Sequence, residues 1–409
     1  MTQNPYSFIE GGVTAPQGFT ASGVHCGIRK NRTKRDLALI LSDREASAAA
    51  VYTQNLVKGA PLDVTASHIE DGRARAVICN SGIANTCAAD GLEKAEGMCA
   101  LAAQALNLDA HDMIVASTGV IGPSLQLEPI AQGMPALVAA LSREGSTDAA
   151  EAIMTTDTRK KEFAVSFVLD GKTCVLGGIA KGSGMIAPNM ATMLCFLTTD
   201  AAISAPMLRK ALRDVVAGTF NMLTIDGDTS TNDMVAILAN GAAGNVVVTD
   251  ESKDYTVFTD ALHALCVQIC RHLAADGEGA TRLLECRVTG AASVADARTA
   301  AKAVANSSLL KSAMFGADAN WGRVLCALGY SGARINVKGV DVDFRSPAGI
   351  VEVCRNGAGI PFSEETAKAV LSEKEILLDI RLHDGDACAT AWGCDLTYDY
   401  VKINGDYRT

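Results

Sequence analysis

Residues 181–200 read KGSGMIAPNMATMLCFLTTD, and a hydroxyl sits at their turning point. Gly182, Gly184 and Pro188 precede Thr192 and allow tight bends. The run after it, MLCFLTT, is apolar and β-prone, and would hold Thr192 rigidly. Two readings follow. In one, Thr192 simply leads a β-strand. In the other, its hydroxyl attacks the Ala191 carbonyl, forms an ester that water hydrolyses, and leaves Thr192 as a new chain start. That start carries an α-amine, which titrates near about 7.7–8.0. One residue then supplies both nucleophile and general base at neutral pH. A second segment bears on this chemistry. MIVASTGVIGP, residues 113–123, reads as a strand running into a Ser-Thr-Gly turn. Thr118 and Gly119 could offer a hydroxyl and an N–H to an oxyanion, or could merely close the turn. The residues alone leave both pairs of readings open.

Other chemistries fit less well. Gly171-Lys172-Thr173 resembles the end of a phosphate-binding loop, but Ser166 stands where its first glycine belongs. Gly329-Tyr330-Ser331-Gly332 begins like a nucleophile elbow and ends on Ala333. Asp226-Gly227-Asp228 starts like a calcium loop, yet Thr231 and Ile237 occupy its glycine and glutamate positions. The six histidines suggest no hydrolase triad. Cys266 and Cys270, flanked by His263 and His272, lack evident third and fourth ligands, so no metal is expected. The 13 cysteines are odd in number and scattered, which fits reduced, buried thiols in a cytoplasmic protein.

The elements that must position these residues are mixed. The chain has 409 residues, 48% hydrophobic and 20% charged, enough for a large globular core. Its net charge of −10 argues against a nucleic-acid partner, and no basic run is expected to offset it. The first residues have neither a basic nor an apolar leader pattern, and no apolar stretch is long enough to span a membrane. Strands are expected at DLALILSD, RARAVICN, AVSFVLD, ATMLCFLTTD, VDVDF and EILLDIRL. Helices are expected over Ala84–Leu106, Ala205–Ala217 and Thr259–Ala275. Without a strict βαβ rhythm, the fold class is α+β or layered α/β and not a Rossmann sheet.

KGSGMIAPNMATML closely resembles the signature of the ornithine acetyltransferase family, also called the bifunctional glutamate N-acetyltransferase or ArgJ family. GGVTAPQGFTASGVHCGIRK, NSGIANTC, ASTGVIG, TIDGDTSTND and the final NGDYRT resemble its other motifs in order, so the resemblance spans the chain. It implies a layered fold of the DmpA/ArgJ type, cut into an α-chain of residues 1–191 and a β-chain of residues 192–409 that pair as α2β2. It implies acetyl transfer from N-acetylornithine to glutamate by a ping-pong route, with Thr192 as the acetylated nucleophile. Thr118 and Gly119 then resemble the oxyanion pair. Thr158, Lys181, Glu278, Asn404 and Thr409 resemble substrate-binding positions. No cofactor is implied, and the partners are small molecules. Acetyl-CoA as a further donor is the alternative within the family. A self-processing aminopeptidase is the more distant one.

Overall fold

The computed structural model describes residues 5–187 and 193–406. Ala191, Thr192 and Thr409 lie outside the described residues, as does the 191/192 boundary between the two expected chains. Among those described, nine strands form the larger sheet: β1 (Tyr6–Ile9), β2 (Phe19–Val24), β3 (Leu37–Tyr52), β4 (Arg73–Asn80), β5 (Met113–Ser117), β6 (Lys161–Leu169), β7 (Lys172–Lys181), β8 (Leu194–Thr199) and β9 (Met234–Ala239). Their order is β1-β6-β7-β8-β9-β3-β4-β5, with β2 also on β3. β8–β9 and β4–β5 are parallel and the other pairs antiparallel. The expected strands RARAVICN and AVSFVLD fall on β4 and β6.

β3 organises this sheet. Its first half pairs with β2 and its second with β9, on the same edge. Its pairing with β4 shifts register between Leu41 and Ala46, where Asp43, Arg44 and Glu45 are exposed. The strand bends at this charged apex, and the sheet folds over itself. Val77, Cys79 and Ala116 from one half therefore share a core with Leu194, Phe196 and Ala236 from the other. The fold-over brings the ends of β4 and β5 to the starts of β8 and β9.

The second sheet holds six strands: β10 (Leu283–Ala291), β11 (Asp341–Ser346), β12 (Gly349–Arg355), β13 (Ala358–Gly359), β14 (Glu375–Arg381) and β15 (Ala387–Cys394). α1 (Ala205–Gly218) packs on β3, and α2 (Lys253–Ala275) joins the sheets by packing on β6 and β7 and also on β10 and β15. Ser252 caps α2 by accepting from the Tyr255 N–H. Phe258, Leu262, Leu265, Ile269 and Leu273 form its buried stripe, each side chain contributing roughly 1.5–3 kcal/mol by burial. Cys266 and Cys270 lie in that core, whereas His263 and His272 are exposed. Burial pushes both thiols upward, so they behave as small apolar side chains. None of the described helices is long and apolar enough to cross a membrane.

One expected helix starts late. Residues 84–90 are not helical, and the helix covers Gly91–Leu106 only. Asn85 and Cys87 take left-handed backbone angles (φ 54° and 57°), and the Asn85 amide donates to the Gly91 carbonyl at 2.8 Å. The alanine-rich pattern is compatible with a longer helix, but tertiary contacts of NSGIANTC hold it as a loop.

β7 runs tightly past the loop before β2. A Cβ added at Gly177 would lie 1.8 Å from the Gly12 carbonyl oxygen. Gly177→Ala is expected to cost about 1–3 kcal/mol through overpacking. Urea unfolding should show a lower midpoint at unchanged slope.

Candidate active site

Four loops meet where the folded sheet closes. The loop after β4, residues 81–86, lies along residues 118–122 after β5. Val120 N–H donates to the Gly82 carbonyl (3.2 Å), and Ala84 N–H to the Val120 carbonyl (2.9 Å). The approach is so close that a Cβ on Gly119 would lie 2.3 Å from the Gly82 oxygen, and Gly119 has φ 125°. Only glycine fits both demands. Asn80 fixes the pair. Its side-chain oxygen accepts from Gly82 and Ile83 N–H, and its amide donates to the Ser117 hydroxyl at 2.7 Å. Asn232, just before β9, ties in the third loop by donating to the Ala84 (2.6 Å) and Ser117 (3.0 Å) carbonyls.

The fourth loop leaves β7 at Lys181. Asp226 accepts from the Met185 (2.6 Å) and Ile186 (2.8 Å) N–H groups. The acidic block TIDGDTSTND thus grips the segment that leads toward residue 188. The described chain resumes at Met193, whose carbonyl accepts from Met234 N–H (2.9 Å). Leu194 faces Lys181 in register.

These loops enclose a cavity of about 260 Å³. Thr118, Gly119, Lys181, Glu278 and Asn404 all line it, so the structure gathers five of the residues singled out from sequence. Lys181 is 8% exposed, and its ammonium lies 3.4 Å from the Thr118 hydroxyl oxygen. Burial lowers its pKa, with Lys161 adding to that and Asp157 opposing it. Among the described residues Lys181 forms no ion pair. The Gly119 N–H and the Thr118 hydroxyl have no acceptor among them either. Glu278 is buried and takes a hydrogen bond from Asn404 at 2.7 Å, which docks the C-terminal helix Tyr398–Asp406 against the cavity. A buried cation, a buried carboxylate and two free donors in a small cavity suit an amino-acid-sized ligand and a developing oxyanion.

Thr158 is placed elsewhere. Its hydroxyl and N–H donate to Asp276, and it lines a neighbouring cavity with Lys402 and Asp406. Thr155, Thr156 and Asn232 line the main cavity instead. Thr155 and Thr156 lie in the run TTDT that ends at Thr158, and Asn232 lies in TIDGDTSTND, but nothing in these stretches says which hydroxyl or amide faces inward.

A buried cluster underlies the loops. Lys161, 1% exposed, sits between Asp157 (2.6 Å) and Asp276 (2.5 Å). Asp157 also accepts from Gly182 N–H at 2.7 Å. Burial alone would raise the Asp157 pKa, but Lys161, Lys181 and the Gly182 N–H together hold it well below the usual carboxylate range. No group of three or more His, Cys, Asp or Glu side chains that could hold a metal occurs among the described residues.

The model of the ArgJ family matches residues 20–409. The chain is 53% identical over 404 residues to the arginine biosynthesis bifunctional protein ArgJ of Symbiobacterium thermophilum, covering 98% of this chain and 100% of that one. It belongs to the ArgJ family. It is therefore an enzyme, an acyltransferase of arginine biosynthesis. The Bacillus subtilis protein of the same name is 46% identical over 403 residues, 98% of this chain and 97% of that one. Among solved structures, the ornithine acetyltransferase of Mycobacterium tuberculosis complexed with ornithine is 36% identical with a TM-score of 0.42. That match covers 46% of this chain and 100% of that one.

The cluster makes a signed prediction within this ArgJ-family fold. In the native protein the depressed Asp157 contributes stability above its unfolded pKa, about 3.9, which is lost only as pH falls through its lower folded value. Lys161→Met leaves two buried carboxylates unpaired and is expected to cost about 3–5 kcal/mol at pH 7. Burial then raises the Asp157 pKa, so the sign reverses. Between pH 5 and 8, urea midpoints of the variant should fall with rising pH, while the Asp157 contribution in the native protein stays constant.

Proposed function

We propose that the enzyme transfers an acetyl group from N-acetylornithine to glutamate through an ester on Thr192, after cutting itself between Ala191 and Thr192. The observation that carries this reading is the convergence of Thr118, Gly119, Lys181, Glu278 and Asn404 on one cavity. The described chain resumes beside that cavity at Met193, next to the partner strand of Lys181. The relatives' name, arginine biosynthesis bifunctional protein ArgJ, supports amino-acid substrates of that pathway.

The chemistry runs in two halves. The Thr192 hydroxyl attacks the acetyl carbonyl of N-acetylornithine, its proton passing to the Thr192 α-amine. The tetrahedral oxyanion takes hydrogen bonds from the Gly119 N–H and the Thr118 hydroxyl. The C–N bond breaks, the ornithine nitrogen regains a proton, and acetyl-Thr192 remains. Glutamate then attacks through its amine. The C–O bond breaks, and the amine proton returns to the threonine oxygen. Lys181 suits the substrate carboxylate as a buried point charge. Glu278, with Asn404 beside it, suits the ornithine ammonium. Thr158 and Thr409 complete the substrate contacts in this reading, Thr158 through movement of the Asp276 hydrogen bonds.

Cleavage would not separate residues 1–191 from 192–409. β8 is paired along its length with β7, and β9 with the second half of β3, so the two strands of the second fragment are held between strands of the first. Two such heterodimers pair in this reading as α2β2.

Purified protein is expected to migrate as two fragments, the second beginning Thr192-Met193-Leu194. Thr192→Ala should remain one intact, inactive chain. Mixing native enzyme with N-acetylornithine alone should add one acetyl group to the second fragment by mass spectrometry. An active uncut chain, or transfer with no acetylated fragment, would exclude the covalent route. Thr118→Ala should lower kcat about 100-fold with KM little changed, as for loss of one oxyanion donor. A change confined to KM would make Thr118 a substrate contact instead.

A further inference from the structure

The α-amine that serves acetyl transfer cannot serve the cut, because before cleavage it is the peptide nitrogen between Ala191 and Thr192. In the uncut chain the Thr192 hydroxyl proton needs another acceptor, and most carboxylates around the site are engaged. Asp157 is held by Lys161 and by the Gly182 N–H. Asp226 accepts from the Met185 and Ile186 N–H groups. Glu278 accepts from Asn404. Asp233 differs from all three. It is 2% exposed, and one of its carboxyl oxygens is buried with no partner among the described residues. Its backbone is fixed on both sides. The Asp233 carbonyl accepts from the Thr53 N–H at 3.0 Å, and the next residue, Met234, donates its N–H to the Met193 carbonyl at 2.9 Å. β8 and β9 run parallel with Leu194 opposite Met234, which sets Asp233 beside Met193 one step earlier. Neighbouring strands lie about 4.8 Å apart. Consecutive Cα atoms lie about 3.8 Å apart, and the residue before Met193 is the one that carries the hydroxyl.

We infer that Asp233 is the proton acceptor for self-cleavage: it takes the Thr192 hydroxyl proton and hands it to the leaving peptide nitrogen. The inference rests on the cut between Ala191 and Thr192 proposed above. The step balances with water as the one co-reactant. The Thr192 oxygen bonds the Ala191 carbonyl carbon, and its proton moves to Asp233. The Ala191–Thr192 C–N bond breaks, and that proton passes to the nitrogen, which becomes the α-amine. Water then adds to the ester carbonyl and the C–O bond breaks. One water proton returns to the threonine oxygen, and Ala191 is left with a carboxyl group. Burial pushes the Asp233 carboxyl well above the usual range, with the Ser230 hydroxyl, the Lys181 charge and the Thr53 hydroxyl opposing. A carboxyl raised in this way is a stronger base than an ordinary one, as proton transfer near neutral pH requires. Lys181 is the charged group that acts on Asp233 from β7, and Asp157, Lys161 and Arg29 act on Lys181 in turn. The rate of cutting should therefore rise with pH as Asp233 ionises and level off once it has.

Cell-free synthesis followed by a block of translation gives a pulse of the uncut full-length chain, and denaturing gels follow the appearance of its fragments. The native chain should cut faster as pH rises from the acid side, up to a plateau. Asp233→Asn, nearly isosteric, should cut at least about 100-fold more slowly, the usual worth of a general base, and should lose the rise with pH. Asp233→Ala should cut as slowly, and formate should restore part of its rate where chloride at equal ionic strength does not. The formate arm separates a lost proton acceptor from a lost packing contact, which a small carboxylate cannot replace. Cutting of Asp233→Asn at the native rate overturns the inference, and so does slow cutting that keeps the native rise with pH. If neither variant cuts and formate restores nothing, the role of Asp233 is structural and the inference falls. A native chain that stays uncut, or is cut at another bond, would instead overturn the proposed function.

Discussion

The Lys161 ammonium, buried between Asp157 and Asp276, is the interaction on which the site depends. Each partner belongs to a different loop. Lys161 opens β6, Asp157 belongs to the threonine-rich turn before it, and Asp276 follows α2 across 115 residues of sequence. Through Gly182 N–H the same cluster holds the start of the glycine-rich segment. Glu278, two residues after Asp276, donates its N–H to the Ser183 carbonyl at 2.8 Å. The Ser183 hydroxyl in turn lies 2.7 Å from that of Thr156. A buried ion cluster is weak evidence for net stability, since desolvation offsets much of the attraction. Its value here is positional: any other packing of these loops leaves a buried charge unpaired.

The folded-over sheet explains why so many loops can meet. A flat sheet would put the ends of β5 far from the starts of β8 and β9. The bend of β3 at its charged apex removes that separation, and Asn232 then reaches the Ser117 carbonyl directly. The backbone carbonyls of the two loops are thereby satisfied by one side-chain amide, as buried polar groups require. The arrangement leaves the Gly119 N–H and the Thr118 hydroxyl without protein acceptors among the described residues. Unused donors in an otherwise well-satisfied region are what an oxyanion site needs, because they require no rearrangement when charge develops.

Local periodicity carried the elements well. RARAVICN coincides with β4 from end to end, and APMLRKALRDVVA with all but the last residue of α1. The α+β class was legible from the mixture of the two periods. The fold-over of β3 was not, because a bulge and three exposed charges look like the end of a strand. The helix expected from Ala84 failed for a related reason: hydrogen bonds to Asn85 and Asn232 outweigh alanine propensity. At the site, Thr118, Gly119, Lys181, Glu278 and Asn404 were named through motif resemblance, and the structure places them around one cavity. The Asp157–Lys161–Asp276 cluster carried no such signal, since charges 115 residues apart show nothing of their pairing in sequence.

The charge state of the cavity follows from burial. Asp233 directly precedes β9 near Lys181, and desolvation pushes its carboxyl well above the ordinary range. One of its oxygens is buried without a partner among the described residues. A carboxyl whose ionised form is disfavoured in this way offsets the Lys181 charge poorly. Asp157, the carboxylate that does stay ionised nearby, is already shared between Lys161 and Gly182 N–H. Lys181 therefore carries a depressed pKa and, among the described residues, no dedicated counter-ion, a costly state for a buried ammonium. In the proposed reaction a substrate carboxylate relieves it by supplying the missing charge, and in doing so raises the Lys181 pKa again. Binding and protonation are thus coupled at this residue, and a ligand with a free carboxylate is favoured over its uncharged amide.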